Sequence, residues 1–190
     1  FNSATIDRNG VVTTSAGARL ALTDRPVKLY FPNFSHYHAQ AIALVARWQG
    51  LNAGDALELG GREVERGLQY TSGRECLPLP ISVGQMLQAH DGRKPGEIVG
   101  FYMMPGGIPC AVDCYVDFLQ QFISQYELAD LFIFDPREAN NSYGLNVRSL
   151  SQVPAPAITL ADIFVEMEQC LRVVGEAESP HQLRNYWDEY

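Results

Sequence analysis

Two loops place cysteines where a chain can present them to a ligand. In "GRECLPLPISVGQ" (73–85), Cys76 sits between a charged pair and two prolines; in "MMPGGIPCAVDCY" (103–115), Cys110 follows two glycines and a proline. Each loop then runs into a helical pattern. A helix N-terminus offers free N–H groups and a positive dipole end, a field that favours thiolate, the form of cysteine that binds metal. Position alone leaves Cys76 and Cys110 open between ligand and structural thiol. Two single cysteines 34 residues apart match no zinc-ribbon spacing, which needs paired C-x-x-C motifs. Cys114 lies one helical turn after Cys110. It reads as a further ligand or as a small core residue. Cys170 falls on the stripe Ile163, Phe164, Met167, Cys170, Leu171, Val174, which has core spacing and predicts a buried thiol.

The remaining constellations carry less. His36 and His38 follow an apolar run, but residues two apart do not share a helix face, so a helical two-histidine metal site is not expected. "GGREVERG" lacks the G-x-G-x-x-G pattern, "MPGG" lacks the lysine of a phosphate-binding loop, and no G-x-S-x-G occurs. Asp135 ends an apolar run, where a cap or turn role is expected. No catalytic residue is assignable.

The elements that must position these loops follow from periodicity. Asn9-Gly10 between two β-rich runs predicts a type I′ hairpin, with a connector up to Pro26. "VKLYF" (27–31), "AGDALEL" (53–59), "EIVGFYMM" (97–104) and "DLFIFDP" (130–136) predict strands. Between and after them, helices are expected from Ser35 to Gly50, after the prolines of 78–80 to Gly92, from Cys110 along "AVDCYVDFLQQFISQYEL", and along "TLADIFVEMEQCLRVV". Residues 61–68 are ambiguous between short helix and loop. The alternation predicts an α/β fold: a mostly parallel sheet with helices on both faces, a Rossmann-like lobe over 25–190 preceded by an N-terminal β-hairpin and connector over 1–24. Such sheets bind ligands beyond the carboxyl ends of their strands. Both cysteine loops fall near that rim.

Composition narrows the partners. The chain has 190 residues, 46% hydrophobic and 19% charged, with a net charge of −8. Without a basic run, nucleic-acid binding is not expected, and the acidic balance argues against anionic membranes. Four cysteines and no visible secretory signal suggest reduced thiols in the cytoplasm, which makes the sequon at Asn140 incidental. The opening "FNSATIDRNG" without methionine suggests a fragment of a larger protein.

One resemblance gathers these features. "GLQYTSGRECLPLPISVGQML" and "GFYMMPGGIPCAVDCYVDFLQQFI" resemble segments of the 2-hydroxyacyl-CoA dehydratase D-component superfamily, most closely the dehydratase-like regions associated with CoA-substrate-specific enzyme activases. "RPVKLYFPNFSHYHAQAIALVARWQGLNA", "NSYGLNV" and "ITLADIFVEMEQCLR" resemble further segments of that group, so the likeness spans roughly Arg25 to Arg172. It implies a [4Fe–4S] cluster with Cys76 and Cys110 as ligands and Cys114 as a further cofactor-binding candidate. It also implies an activase ATPase as partner, an acyl-CoA as substrate, and ATP-driven low-potential electron transfer. Ala111 stands where the group often has arginine, and Cys114 where it often has glutamine or another polar residue. The alternative is a cluster-free interaction domain that docks an activase ATPase.

Overall fold

A computed structural model of the chain describes residues 3–103, 110–145, 154–175 and 178–189. Residues 146–153 of the loop expected over "REANNSYGLNVRSLSQVPAPA", and residues 104–109 ahead of Cys110, lie outside the described residues.

The chain begins with an antiparallel sheet of β1 (Thr5–Ile6), β2 (Val11–Thr13) and β3 (Arg19–Ala21), in that order. The Asn9-Gly10 hairpin forms, with Ile6 opposite Val12, but its turn is not type I′. Only Gly10 takes a positive φ, 74°, and the Asp7 carboxylate accepts the N–H groups of Asn9 and Val11 at 2.8 and 3.0 Å. That side-chain acceptor builds a longer turn closed by a left-handed glycine. The segment expected as a connector supplies β3, where Leu20 pairs with Val12.

The second sheet is parallel throughout, in the order β4 (Val27–Tyr30), β5 (Ile98–Tyr102), β6 (Leu131–Phe134). β5 and β6 are apolar runs because both faces are covered, while β4 alternates, with Lys28 half-buried beside Glu97. Val99, Phe101, Leu131 and Ile133 face one cluster, with residues of α3 (Pro78–Asp91) and α4 (Tyr115–Gln125). Val27, Leu29, Ile98, Phe132 and Phe134 face another, with Ala43 and Ala46 of α1 (His36–Trp48). Ala4, Val12 and Leu22 of the N-terminal segment join that second cluster, so it shares the core of the larger unit.

The strand expected over 53–59 shrinks to one parallel bridge between Ala53 and Leu29, held by Leu29 N–H to Asn52 O (2.8 Å) and Gly54 N–H to Leu29 O (2.7 Å). Gly54 lies directly against the Tyr30 ring, and Asp55 turns outward to pair with Arg47 at 2.8 Å. With this bridge on one side of β4 and β5 on the other, the strand order reverses at β4. The switch point lies at the carboxyl ends of β4 and β5.

The ambiguous 61–68 segment is helix α2 (Gly61–Leu68). It packs backbone to backbone on α3: a Cβ at Gly67 would stand 1.7 Å from Pro80 O, and one at Gly84 would stand 1.9 Å from Glu63 O. After β6, α5 (Pro154–Val174) and α6 (Ser179–Glu189) dock on α1. Tyr37, Ala41 and Ala161 form the buried centre of this contact, with Phe164 and Trp187 packed around it. Here the expectation for Cys170 fails: the thiol is exposed. The helix turns Ala161, Phe164 and Glu168 inward, which rotates Ile163, Met167, Cys170 and Val174 to the outside. Among the described residues, no helix is long and apolar enough to cross a membrane.

Candidate functional site

The rim at the carboxyl ends of β4, β5 and β6 is built from four loops. After β4 come Asn33 and the start of α1. Cys76 precedes α3, Cys110 follows β5, and Asp135 follows β6.

Cys76 lies in a loop shaped by its neighbour Glu75, whose carboxylate accepts from Ser72 N–H at 3.2 Å, Ser72 Oγ at 2.9 Å and Arg74 N–H at 3.1 Å. The Cys76 carbonyl accepts the Leu79 N–H at 3.0 Å. Pro78 and Pro80 have no N–H to offer, so the first turn of α3 presents few free amides. The dipole argument for an activated Cys76 therefore weakens. Cys110 is extended, with φ −142° and ψ 151°, and caps a 3-10 turn, Ala111–Cys114, that continues into α4. Cys114 is the N-cap of α4 and is exposed rather than packed in the core. Cys76 and Cys110 are likewise exposed, and all four cysteines are free thiols.

Tyr115, the first residue of α4, links the two loops. It is 4% exposed and packs in the same apolar cluster as Leu79 and Val116. Its hydroxyl is buried and has no hydrogen-bond partner among the described residues. The Leu79 amide, which is close enough to the hydroxyl to pull its pKa down a little, is donated to Cys76 O. Burial pushes the Tyr115 hydroxyl pKa up, and the charges of Cys76, Cys110 and Glu75 push it the same way. Both thiols thus lie within electrostatic reach of one orphaned hydroxyl. No group of three or more His, Cys, Asp or Glu residues stands at metal-holding geometry among the described residues.

The other candidates are engaged elsewhere. His36 Nε2 meets Asp188 Oδ1 and His38 Nε2 meets Asp162 Oδ1, each at 2.9 Å, so both histidines tie α1 to the C-terminal helices. Asp135 is 2% exposed, accepts the Tyr143 hydroxyl and pairs with Arg137. Its carbonyl accepts Asn140 Nδ2 at 2.9 Å, which occupies the sequon asparagine. Asp135 thereby holds the left-handed run Asn141, Ser142, Tyr143 (φ 53°, 45°, 58°), a turn role.

Sequence reasoning missed two features. Tyr115 carries no signal of its own, because a tyrosine in an apolar helix pattern reads as core. The second is a polar cluster on α5 and α6: Glu168, 7% exposed, accepts from Arg172 at 2.6 Å and from Arg184 at 2.8 and 3.3 Å. The Glu168–Arg172 spacing of four was its one readable trace. Comparison of the chain with protein-family models, with curated proteins and with solved structures finds no match.

Proposed function

We propose that this chain is an iron–sulfur-binding domain of a 2-hydroxyacyl-CoA dehydratase or activase-type system, taking part in ATP-driven electron transfer. The observation that carries the reading is that Cys76 and Cys110, exposed in loops 34 residues apart, both act electrostatically on the buried hydroxyl of Tyr115. The groups available to a [4Fe–4S] cluster are two exposed free thiols and, near them, a buried hydroxyl with no partner among the described residues. Cys76 and Cys110 would hold the cluster. Cys114 stands at the head of α4 as a further candidate, and another protein surface would complete the ligand set. A bound cluster supplies one-electron chemistry; the chain contributes thiolates, the apolar floor around Leu79 and Tyr115, and a hydrogen-bond donor.

Anaerobic purification followed by an absorbance spectrum and an iron count tests the reading. Iron bound by the wild type and lost in Cys76→Ser and Cys110→Ser supports it. Iron retained in both variants, or absent from the wild type after anaerobic reconstitution, overturns it.

A second reading, a cluster-free domain that docks an activase ATPase, draws on a different observation. Leu160, Ile163, Met167 and Val174 stand 44–81% exposed on α5 at alternating spacings of three, four and seven, the seam of a helix–helix contact. Under that reading Met167→Glu abolishes binding to a purified activase, and the cysteine variants leave it intact.

A further inference from the structure

Two hollows lie where α5 and α6 dock on α1: a cleft beside Asn33 and, on the other side of Gln40, a groove of about 650 Å³. The groove is the more apolar of the two. Its floor is Ala43 of α1 with Phe164 and Trp187, whose ring centroids lie 4.7 Å apart. Leu44 of α1 and Leu160 of α5 line it while 55% and 48% exposed. Trp48, one turn beyond Leu44 on α1, is 71% exposed and continues the same wall. Large apolar side chains gathered in one exposed groove mark a surface for a partner.

The charge around the groove selects that partner. Three carboxylates line it, Asp55, Asp188 and Glu189, against one cation, Arg47. Arg47 is committed to its own loop: it donates to Ala53 O and Gly54 O at 3.0 Å each and pairs with Asp55 at 2.8 Å. Asp188 accepts from His36 and Gln40 at 2.9 Å each. Glu189 is exposed and has no partner among the described residues. Both Asp188 and Glu189 stand in the last turn of α6, which holds no basic residue. There the negative end of the helix dipole disfavours a carboxylate. Glu189 thus weakens its own helix and gains no contact in return, a placement that a cationic partner accounts for. A second copy of the chain does not account for it, because two-fold pairing through this face would set the same carboxylates against each other. Leu44 and Trp48, spaced i, i+4, form a ridge that the apolar face of another helix meets at its own i, i+4 spacing.

We propose that this groove binds an amphipathic helix flanked by lysine or arginine, its apolar face on Leu44, Leu160 and Trp187 and its cations on Asp188 and Glu189. The inference rests on neither the iron site nor the outer seam of α5.

The probe is a capped peptide of about 14 leucines and lysines with the leucines at helical spacing, and the control carries glutamate for each lysine. Each is titrated into the full chain, whose two tryptophans, Trp48 and Trp187, stand beside and in the groove and report occupancy by fluorescence. The lysine peptide is expected to bind about tenfold or more tightly than the control, and less tightly as salt rises. Leu44→Asp should weaken it about tenfold although the variant adds a negative charge, and Glu189→Lys should weaken it severalfold. Met167→Glu, on the outer face of α5, also adds a negative charge and should leave binding unchanged. A thermal melt checks each fold, and Leu160→Asp on the facing wall repeats the test if Leu44→Asp does not fold. No binding of the lysine peptide below about 1 mM, equal binding of the control, or unchanged affinity in the folded groove variant would each overturn the proposal. A wild-type dimer that Leu44→Asp dissociates would give the groove to a second copy and overturn it as well. Iron is not read, and Met167→Glu is the variant that breaks the α5 seam, so the outcome is separate from those of both earlier readings.

Discussion

Asn33 and Gln85 hold each other across the switch point by a reciprocal pair of hydrogen bonds. The Asn33 N–H donates to Gln85 Oε1 at 2.8 Å, and Gln85 Nε2 donates back to the Asn33 carbonyl at 3.0 Å. Gln85 Nε2 also donates to Glu58 O at 3.2 Å. One fully buried side chain on α3 thus satisfies the backbone leaving β4 and the loop over 55–60. Gln85→Leu keeps the volume but orphans those buried groups, and should cost about 2–4 kcal/mol. Urea denaturation of the purified variant measures this. A loss under about 0.5 kcal/mol, the ordinary range for surface changes, would mean the backbone finds other partners.

The cysteines divide by place: Cys76, Cys110 and Cys114 stand at helix entrances, and Cys170 on the outside of α5. Cys76→Ser and Cys110→Ser should remove iron while shifting stability by less than about 0.5 kcal/mol, since exposed thiols make few packing contacts. Cys170→Ser, on the outside of α5, should leave both iron and stability unchanged. Iron per chain and melting temperature, read together after anaerobic reconstitution, check all three. Cys114→Ser separates a ligand, which loses iron, from a bystander.

Tyr115→Phe removes the orphaned hydroxyl and keeps the ring in its apolar cluster. Since that hydroxyl has no partner among the described residues, its loss should not destabilise the chain and should raise stability by up to about 1 kcal/mol. A melt of iron-free protein decides this. A marked fall in melting temperature would mean that the hydroxyl is satisfied in solution.

The contact between α2 and α3 tolerates no added methyl group. At Gly67 and Gly84 the atoms in the way are backbone carbonyl oxygens, which cannot swing aside as a side chain would. Gly67→Ala and Gly84→Ala should each cost about 1–3 kcal/mol or more by forcing the helices apart. Because α2 leads into the Cys76 loop, limited proteolysis should also cut the 69–77 segment faster in the variants.

Glu168 sets an acid-sensitive step in stability. Burial alone would raise its pKa, but hydrogen bonds from Arg184 and Arg172 overcome that and bring the carboxyl down to about 2, from 4.5 when unfolded. A depressed pKa means that the folded state holds the ionised form better than the unfolded chain does. This stabilisation is complete above about pH 4.5 and is lost as pH falls toward 2. The difference in melting temperature between wild type and Glu168→Gln should therefore be largest near neutrality and shrink through that window. A difference independent of pH would exclude ion pairing as its source.

Much of the architecture was legible in the sequence because it rests on local pattern. The parallel strands β5 and β6 are continuous apolar runs, buried on both faces, β4 is apolar at alternate positions, and the helices between them carry their own start and stop residues. Asn9-Gly10 marked the hairpin, although the Asp7 side chain, not the dipeptide alone, selected the turn. The strand expected over 53–59 had the right composition, but Gly54 lies against the Tyr30 ring and the pairing stops after one bridge.

What tertiary structure decided is which face of an element turns inward and which distant groups meet. The α5 sequence carries apolar residues on more than one side, so periodicity could not say that Glu168 would be buried and Cys170 exposed; docking against Tyr37 and Ala41 of α1 made that choice. The approach of Cys76 and Cys110 to Tyr115 depends on α3 and α4 covering the same face of the sheet. The cleft beside Asn33 depends on α5 and α6 docking against α1. Neither arrangement has a local signature, because it arises from contacts between residues far apart in the chain, whose energies no single segment encodes.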